Sequence, residues 1–299
     1  MSLSIMSFSY KEQQEHQKEG KKVHVVTEPS DLYRLQEQVG DGKTGKVYKA
    51  IHPVHGMTAV KVFRSKYAYN LEHELSFLRK MQGNKHFVTV YETWYDDEFA
   101  YMAMELLDGT LLDLIEQGLQ NDEVLQLTKQ LVTALAQLHA NQIVHFDLKP
   151  ENIGFVWMSD GTILLKILDF GMSETFHTVF SYSFQQRVNR GELLLTSRPY
   201  ASYEAIMLDH VQPHTEKCDV WALGAIVAEM ISGMQSFPDV HEENTKEDNE
   251  ALFQTGITNA LDFRMDNETI RILRRIMEAC LKIKVCERVY SHELLAFFP

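Results

Sequence analysis

The chain has 299 residues, of which 44% are hydrophobic and 24% charged, and its formal net charge is −13. This length and composition are ordinary for a globular protein that folds as one large domain or as two lobes of one unit. The acidic balance argues against nonspecific nucleic-acid binding and against binding to anionic membranes, because both attract basic patches.

The first part of the chain is predicted to be a polar tail followed by strands. Residues 1–30 are rich in Lys, Glu and Gln, with a short strand predicted at "VHVV". From Leu32, "LYRLQEQVG", "GKVYKAIH" and "MTAVKVF" predict three strands joined by glycine-containing turns. "NLEHELSFLRKMQ" places apolar residues from Leu71 to Leu78 at helical spacing. "FVTVYETWY" and "FAYMAMELL" predict two more strands, so residues 31–107 are expected to form one unit with a single helix.

The remaining residues, 108–299, are predicted to be mainly helical. Asn121 and Asp122 are expected to cap the amphipathic helix "EVLQLTKQLVTALAQLHA". "IGFVW" and "TILLKILDF" predict two strands joined by the turn "SDG". "DVWALGAIVAEMIS" predicts a buried helix and "NETIRILRRIMEACLKI" an amphipathic one. The acidic segment from Met234 to about Thr258 is predicted to be irregular surface.

The stretch "IVHFDLKPENIGF" places an acid, a base and an amide, Asp147, Lys149 and Asn152, between two apolar pieces. An isolated Asp-x-Lys is a weak signal, because most such pairs are surface salt bridges. H-x-D-x-K-x-x-N followed by D-F-G at residues 169–171 is far more specific and resembles the signature of protein kinases. The resemblance covers roughly residues 32–298. It implies an α+β fold with a small N-lobe, an antiparallel sheet with one helix, and a larger, mainly helical C-lobe.

The resemblance also implies that ATP and Mg²⁺ are bound. A strand follows "VGDGKTGKV", which favours the kinase glycine-rich loop over a dinucleotide-binding loop. Glycines there let backbone N–H groups approach phosphates. The implied nucleotide-binding residues of this loop are Val39, Gly40, Asp41, Gly42, Lys43, Thr44, Gly45, Lys46 and Val47.

The adenine is implied to lie against Val47 and Ala59, with Met104 behind it and the connector from Glu105 to Leu107 beside it. Gly154 stands where a large apolar residue usually lies beneath the base. We therefore expect the floor of the adenine site to be under-packed. The alternatives are that glycine is needed for backbone approach, or that another side chain fills the gap.

Phosphoryl transfer depends on positioning and on neutralisation of phosphate charge. Lys61 resembles the lysine that holds the α- and β-phosphates, and Glu74 fits its helical partner better than Glu72 does, because Glu74 shares a face with Leu78. The remaining catalytic roles are implied by the same resemblance. Asp147 would orient the substrate hydroxyl, Lys149 would neutralise the transferring phosphoryl group, Asn152 and Asp169 would hold Mg²⁺, and Ser197 would bond to Asp147.

The motif "DLKPEN" resembles that of serine/threonine kinases, which implies protein substrates with Ser or Thr, and Glu151 within it is a candidate reader of neighbouring basic residues. Glu204 is expected to pair with Arg288, and Asp219 to brace the catalytic loop. These three residues are expected to be structural. The oligomeric state is left open.

The pattern departs from the family at Phe146, which replaces the arginine of H-R-D, as well as at Gly154. That arginine normally binds a phosphate on the activation loop, so loop phosphorylation is not expected to control activity. An active serine/threonine kinase is the leading hypothesis. The alternatives are a pseudokinase that binds nucleotide and acts as a scaffold, and a small-molecule phosphotransferase of related fold.

The three cysteines, Cys218, Cys280 and Cys286, are scattered, which predicts neither a disulfide framework nor a zinc site. A reducing compartment, cytoplasmic or nuclear, is therefore expected. The N-terminus has no signal-peptide pattern, and no apolar run is long enough to span a bilayer.

Overall fold

The computed structural model describes residues 29–42, 45–64, 68–189, 198–207, 215–237, 246–262 and 267–299. The strand expected at "VHVV" lies outside these ranges. Within them, no helix combines the length and the apolar character needed to cross a bilayer.

The N-terminal lobe is built on an antiparallel sheet of five strands, in the order β1-β2-β3-β5-β4. The strands predicted between residues 32 and 107 are thereby confirmed. Their bounds are Arg34–Asp41 (β1), Gly45–His52 (β2), Gly56–Arg64 (β3), Val90–Tyr95 (β4) and Phe99–Glu105 (β5). A short helix, α1 (Pro29–Leu32), precedes β1, and α2 (Ala68–Met81) buries its apolar face against the sheet.

The C-terminal lobe packs helices around one that is almost wholly buried. That helix is α8 (Lys217–Ser232), and its residues from Lys217 to Met230 are all buried. The helices in chain order are α3 (Leu111–Gln117), α4 (Asn121–Ala140), α5 (Phe176–Val179), α6 (Tyr182–Asn189), α7 (Tyr203–Ile206), α8, α9 (Lys246–Leu261) and α10 (Glu268–Cys280). Helices α4 and α10 both pack on α8. The α+β fold implied by the sequence motifs is confirmed.

Two small sheets lie on the side of this lobe that faces the N-terminal sheet. One joins β6 (Gly109–Thr110), β8 (Ile153–Trp157) and β9 (Ile163–Ile167), and the other joins β7 (Ile143–Val144) to β10 (Glu174–Thr175). All of these pairings are antiparallel. Every polar residue of the predicted catalytic loop lies between β7 and β8.

The prediction that Met234 to Thr258 is irregular was wrong for its second half, because α9 begins at Lys246. Glu247 and Asp248 suit the positive end of the helix dipole, and Phe253 and Ile257 are buried on one face. The acidic composition therefore belongs to a helix start rather than to a loop.

The predicted caps of α4 were also misplaced by a residue or more. The helix begins at Asn121, and its cap is Gln120, whose backbone N–H donates to Glu123 Oε2 at 2.7 Å. This half of a capping box holds the chain as it enters the helix.

Candidate active site

Lys61 lies in the middle of β3 and is 6% exposed. Its Nζ is 2.7 Å from Glu74 Oε2 on α2 and 3.3 Å from Asp169 Oδ1. Glu72, the alternative partner, is exposed and accepts a hydrogen bond from the hydroxyl of Tyr95 instead. The structure therefore pairs Lys61 with Glu74, as the helical spacing predicts.

The charges of this cluster stabilise each other. Burial by itself lowers the pKa of Lys61, but the carboxylates of Glu74 and Asp169 outweigh it and raise that pKa above its ordinary value. Burial likewise acts to raise the pKa of Asp169, yet the Lys61 charge and the N–H of Gly171 hold it below its ordinary value. At neutral pH, Lys61 is therefore an ammonium and Asp169 an anionic carboxylate, and both lie at the cleft between the two lobes.

The catalytic loop is held by Asp219, which projects from the buried helix α8 and is 1% exposed. Its carboxylate accepts the backbone N–H of His145 at 2.7 Å and that of Phe146 at 2.8 Å. Phe146 has φ of 64°, an unfavourable conformation for a residue with a bulky side chain. The expected bracing role of Asp219 is confirmed, since its two bonds stabilise this turn.

Asp147, Lys149 and Asn152 come together at the end of that turn. Lys149 Nζ is 3.1 Å from Asp147 Oδ2, and Asn152 Nδ2 donates to the backbone oxygen of Asp147 at 2.8 Å and to Oδ2 at 3.0 Å. Leu168 joins this group to the Lys61 cluster, because its N–H donates to Asn152 O at 2.9 Å and the next residue is Asp169. The six predicted side chains therefore surround one region of the cleft.

Asn152 and Asp169 are suited to a small hard cation. The Asn152 amide nitrogen is committed to Asp147, which directs its oxygen elsewhere, and Asp169 is held as an anion. Among the described residues, no group of three or more His, Cys, Asp or Glu side chains could hold a metal ion. Mg²⁺ typically takes only one or two protein carboxylates and completes its shell with phosphate and water, so these residues fit it.

The glycine-rich loop is the hairpin between β1 and β2. Gly40 pairs with Val47, Asp41 pairs with Lys46, and the N–H of Gly42 donates to Gly45 O at 2.9 Å. A Cβ on Gly45 would overlap the carbonyl oxygen of Val62, so only glycine lets β2 lie this close to β3. Val39, which is also predicted to bind nucleotide, is 47% exposed.

Three predicted site residues, Lys43, Thr44 and Ser197, lie outside the described residues. The roles predicted for them stay predictions.

The upper wall and the connector of the cleft are arranged as the sequence predicts. Ala59 and Met104 are register partners on β3 and β5, and both are buried. Glu105 turns its side chain away from the cleft, where Oε1 accepts the N–H of Thr89 at 2.6 Å and lies 2.8 Å from Lys166 Nζ. The carboxylate of Glu105 is therefore engaged by Thr89 and Lys166.

The expectation of an under-packed floor at Gly154 was wrong. A Cβ on Gly154 would overlap Leu107 Cδ1 and would lie 3.2 Å from Leu168 Cδ1. The space above Gly154 is therefore filled by other side chains, mainly by that of Leu107. Sequence inspection could not find this contact, because it depends on the path of the connector.

The surroundings of Phe146, which stands in place of the arginine of H-R-D, are apolar. Phe146 is 2% exposed and stacks on Phe184 of α6, with ring centroids 5.9 Å apart. Val144, Val179 and Cys218 complete this apolar cluster. The signal in the sequence was Phe146 itself, but its partner on the segment after D-F-G could not be chosen from several aromatic residues.

Two further polar contacts, one ion pair and one hydrogen bond, were not predicted from the sequence. Lys166 is 7% exposed and pairs with Glu105; a lone lysine inside the apolar strand "ILLKI" was the available signal. The buried Glu229 accepts the Tyr200 hydroxyl at 2.7 Å. Burial raises the pKa of Glu229, the Tyr200 bond opposes this, and the charge of Glu151 raises it again, so the two carboxylates are electrostatic neighbours.

Glu204 and Arg288 form the buried ion pair that the sequence predicts. Arg288 Nη1 donates to Glu204 Oε1 at 2.9 Å and Nη2 to Oε2 at 3.1 Å. Both side chains are fully buried, and Cys218 Sγ also donates to Glu204. This bidentate pair ties α7 to the segment after α10.

The chain matches the family model for the protein kinase domain over residues 33–297. It is 32% identical over 209 residues to a putative ribosomal protein S6 kinase alpha-2 of Caenorhabditis elegans, an alignment that covers 67% of this chain and 26% of the relative. It is 30% identical over 224 residues, 72% of the chain and 42% of the relative, to the SNF1-related protein kinase catalytic subunit alpha KIN12 of Arabidopsis thaliana. Identity is also 30% over 228 residues with human homeodomain-interacting protein kinase 4, covering 73% and 35%. The chain thus spans less than half the length of these relatives.

Proposed function

The chain belongs to the protein kinase family, and from this premise we propose that it is an active serine/threonine kinase that transfers the γ-phosphate of ATP to protein hydroxyls. The observation that carries the proposal is the continuous set of contacts from Glu74 through Lys61 and Asp169 to Asn152 and Asp147. These are the groups that phosphoryl transfer needs, in direct or one-residue contact with each other.

Each side chain has a role that its surroundings support. Lys61, kept protonated by its two carboxylates, neutralises the charge of the α- and β-phosphates. Asp147 orients the substrate hydroxyl and accepts its proton, while Lys149, 3.1 Å away, offsets the charge that develops on the transferred group. Asn152 and Asp169 would hold Mg²⁺, whose positive charge would offset the negative charge of the phosphates.

We propose that substrates carry a basic residue near the phosphorylated hydroxyl. Glu151 is exposed beside the catalytic loop, and its charge acts on both Glu229 and Tyr200. An exposed carboxylate beside the catalytic loop attracts a guanidinium or ammonium group of an approaching peptide. Lys149 in "DLKPEN", a stretch that resembles the motif of serine/threonine kinases, supports the alcohols of Ser and Thr as substrates over the phenol of Tyr.

The three cysteines are free thiols, with Cys218 and Cys280 buried and Cys286 exposed. Exposed free thiols are most common in reducing compartments. We therefore propose an intracellular location, cytoplasmic or nuclear.

A transfer assay with radiolabelled ATP and Mg²⁺ tests the proposed activity. The substrates are a basic protein mixture, a neutral peptide and small alcohols, and the product is hydrolysed to identify the phosphorylated residue. Phosphoserine or phosphothreonine that disappears in Asp169→Asn supports the proposal. Binding of ATP without transfer to any substrate would instead identify a pseudokinase, and transfer to alcohols alone would identify a small-molecule phosphotransferase.

A further inference from the structure

The adenine site has a floor whose position is set by the pleat of β8. Ile153 and its register partner Ile167 face a small apolar cavity inside the C-terminal lobe. Successive side chains on a strand point to opposite faces, so Gly154 and its partner Lys166 face the N-terminal lobe. Lys166 confirms this direction, because its Nζ reaches Glu105 on the connector.

Because residue 154 is glycine, β8 presents no side chain toward the N-terminal lobe at this position. The atoms that occupy the space are Leu107 Cδ1, which a Cβ on Gly154 would overlap, and Leu168 Cδ1. The connector is held close by pairing of β6 with β8, in which Gly109 pairs with Phe155. Leu107 is half-buried, as an apolar side chain must be if it lines an open cleft.

We infer that the side chain of Leu107 is the floor of the adenine site and takes the place of a side chain on Gly154. The inference rests on the proposed ATP-dependent function and adds a specificity role to a residue that was expected only to lie beside the adenine as part of the connector. Leu107 and Gly154 are then a matched pair: the leucine contacts the base only because position 154 is glycine. Val47 pairs with Lys61, two residues from Ala59, so Val47 and Ala59 share one face of the N-terminal sheet, and the inference assigns the opposite side of a flat, apolar base to them.

The test compares two ligands by calorimetric titration of the full chain. ATP with Mg²⁺ has both a base and phosphates, whereas inorganic tripolyphosphate with Mg²⁺ has phosphates only. Leu107→Ala should raise the Kd for ATP about fivefold, the effect of losing part of one apolar contact. It should leave the Kd for tripolyphosphate unchanged. Leu125→Ala, which truncates a half-buried leucine on α4 away from the cleft, is the matched control and should leave both unchanged.

Gly154→Ala in the parent chain is a second test, which does not depend on whether Leu107→Ala folds. Gly154→Ala adds only the Cβ that overlaps Leu107, so it should also weaken ATP binding. In the Leu107→Ala background, Gly154→Leu should return the ATP Kd to within about twofold of the parent, because a leucine then rises from the strand itself. Thermal unfolding of each apo variant reports whether it is folded.

The inference is overturned if folded Leu107→Ala binds ATP as the parent does, or if it loses ATP and tripolyphosphate affinity equally. It is also overturned if Gly154→Leu gives no recovery in the Leu107→Ala background. A parent chain that binds tripolyphosphate but shows no preference for ATP would contradict the proposed function itself, which separates the two failures.

Discussion

Single residues in the cleft differ in role because their surroundings differ. Asp169 is bonded to Lys61 and to the N–H of Gly171, which keep it anionic and suited to a cation. Asp147 is bonded to Lys149 and Asn152, and it lies at the mouth of the loop with a side chain 15% exposed. Because Asp169 is committed to Lys61 and is suited to a cation, we propose that Asp147 is the carboxylate that meets the substrate hydroxyl.

Replacement of Asp147 by Asn should remove catalysis while leaving nucleotide binding. The amide keeps the shape of the side chain and can still accept from Asn152, but it cannot take a proton. We expect kcat to fall about 100-fold or more, with the Kd for ATP unchanged. Asp97→Asn, an exposed carboxylate in the turn between β4 and β5, is the control. A parental kcat in Asp147→Asn would exclude this residue as the base.

Replacement of Glu151 by Gln should change peptide preference rather than turnover. Removal of the charge weakens one exposed ion pair, so kcat/KM for peptides with arginine near the acceptor should fall about fivefold. The kcat/KM for neutral peptides should be unchanged. The control variant Glu116→Gln, which removes an exposed charge from α3, should leave kcat/KM unchanged for both kinds of peptide. An equal loss on neutral peptides would point to a structural role for Glu151.

At the level of elements, the segment after D-F-G is anchored by apolar contacts. Strand β10 pairs with β7, the N–H of Phe176 donates to Gln142 O at 2.9 Å, and Phe184 places α6 on Phe146. An arginine at position 146 would need an anion as its partner here, whereas Phe146 packs against the ring of Phe184. Apolar and backbone contacts thus hold the described part of the segment, residues 172–189.

Treatment with phosphatase should therefore leave the rate on a peptide unchanged. Phe184→Ala should lower that rate roughly tenfold, since loss of a buried ring costs a few kcal/mol of local packing, and part of this is expected to appear as disorder of the segment. Phe180→Ala, which truncates a ring that is 59% exposed on the same segment, is the control. A rate that falls on phosphatase treatment and returns on rephosphorylation would contradict this prediction.

At the level of the whole molecule, the two lobes meet at a partly buried ion pair. Glu105 belongs to the end of β5 and Lys166 to β9, with 2.8 Å between Oε1 and Nζ. Backbone contacts flank the pair, since Ile167 donates to His86 O at 2.8 Å. The pair lies directly behind the cleft, so it links the position of the connector to the strand that leads to Asp169.

Breaking one side of this pair should be costly. Glu105→Gln leaves the buried Lys166 ammonium without its anion, and we expect the free energy of unfolding to fall by about 3 kcal/mol. The double variant Glu105→Gln, Lys166→Met removes the uncompensated charge and should recover most of that loss. Urea unfolding measures both. Equal losses in the single and double variants would show that the charge itself contributes little.

The sequence was sufficient wherever a local pattern reports the structure. The spacing of Leu71 and Leu78 identified the face of α2 that carries Glu74, and the apolar run after Asp219 identified the buried helix. It was insufficient where two distant segments meet. Phe184 on Phe146 and Leu107 over Gly154 join positions whose separation carries no periodic signal. These contacts depend on how loops run, which tertiary packing decides.

The stacking of Phe184 on Phe146 has a consequence for cellular control. A kinase whose segment is positioned by a phosphate can be switched on and off at constant abundance by an upstream enzyme and an opposing phosphatase. A segment held by the stacking of two rings does not need either enzyme for its position, although its Ser and Thr side chains can still carry phosphate. The output of such a chain follows the number of copies present, so synthesis, degradation and sequestration become the variables by which a cell would set its signal.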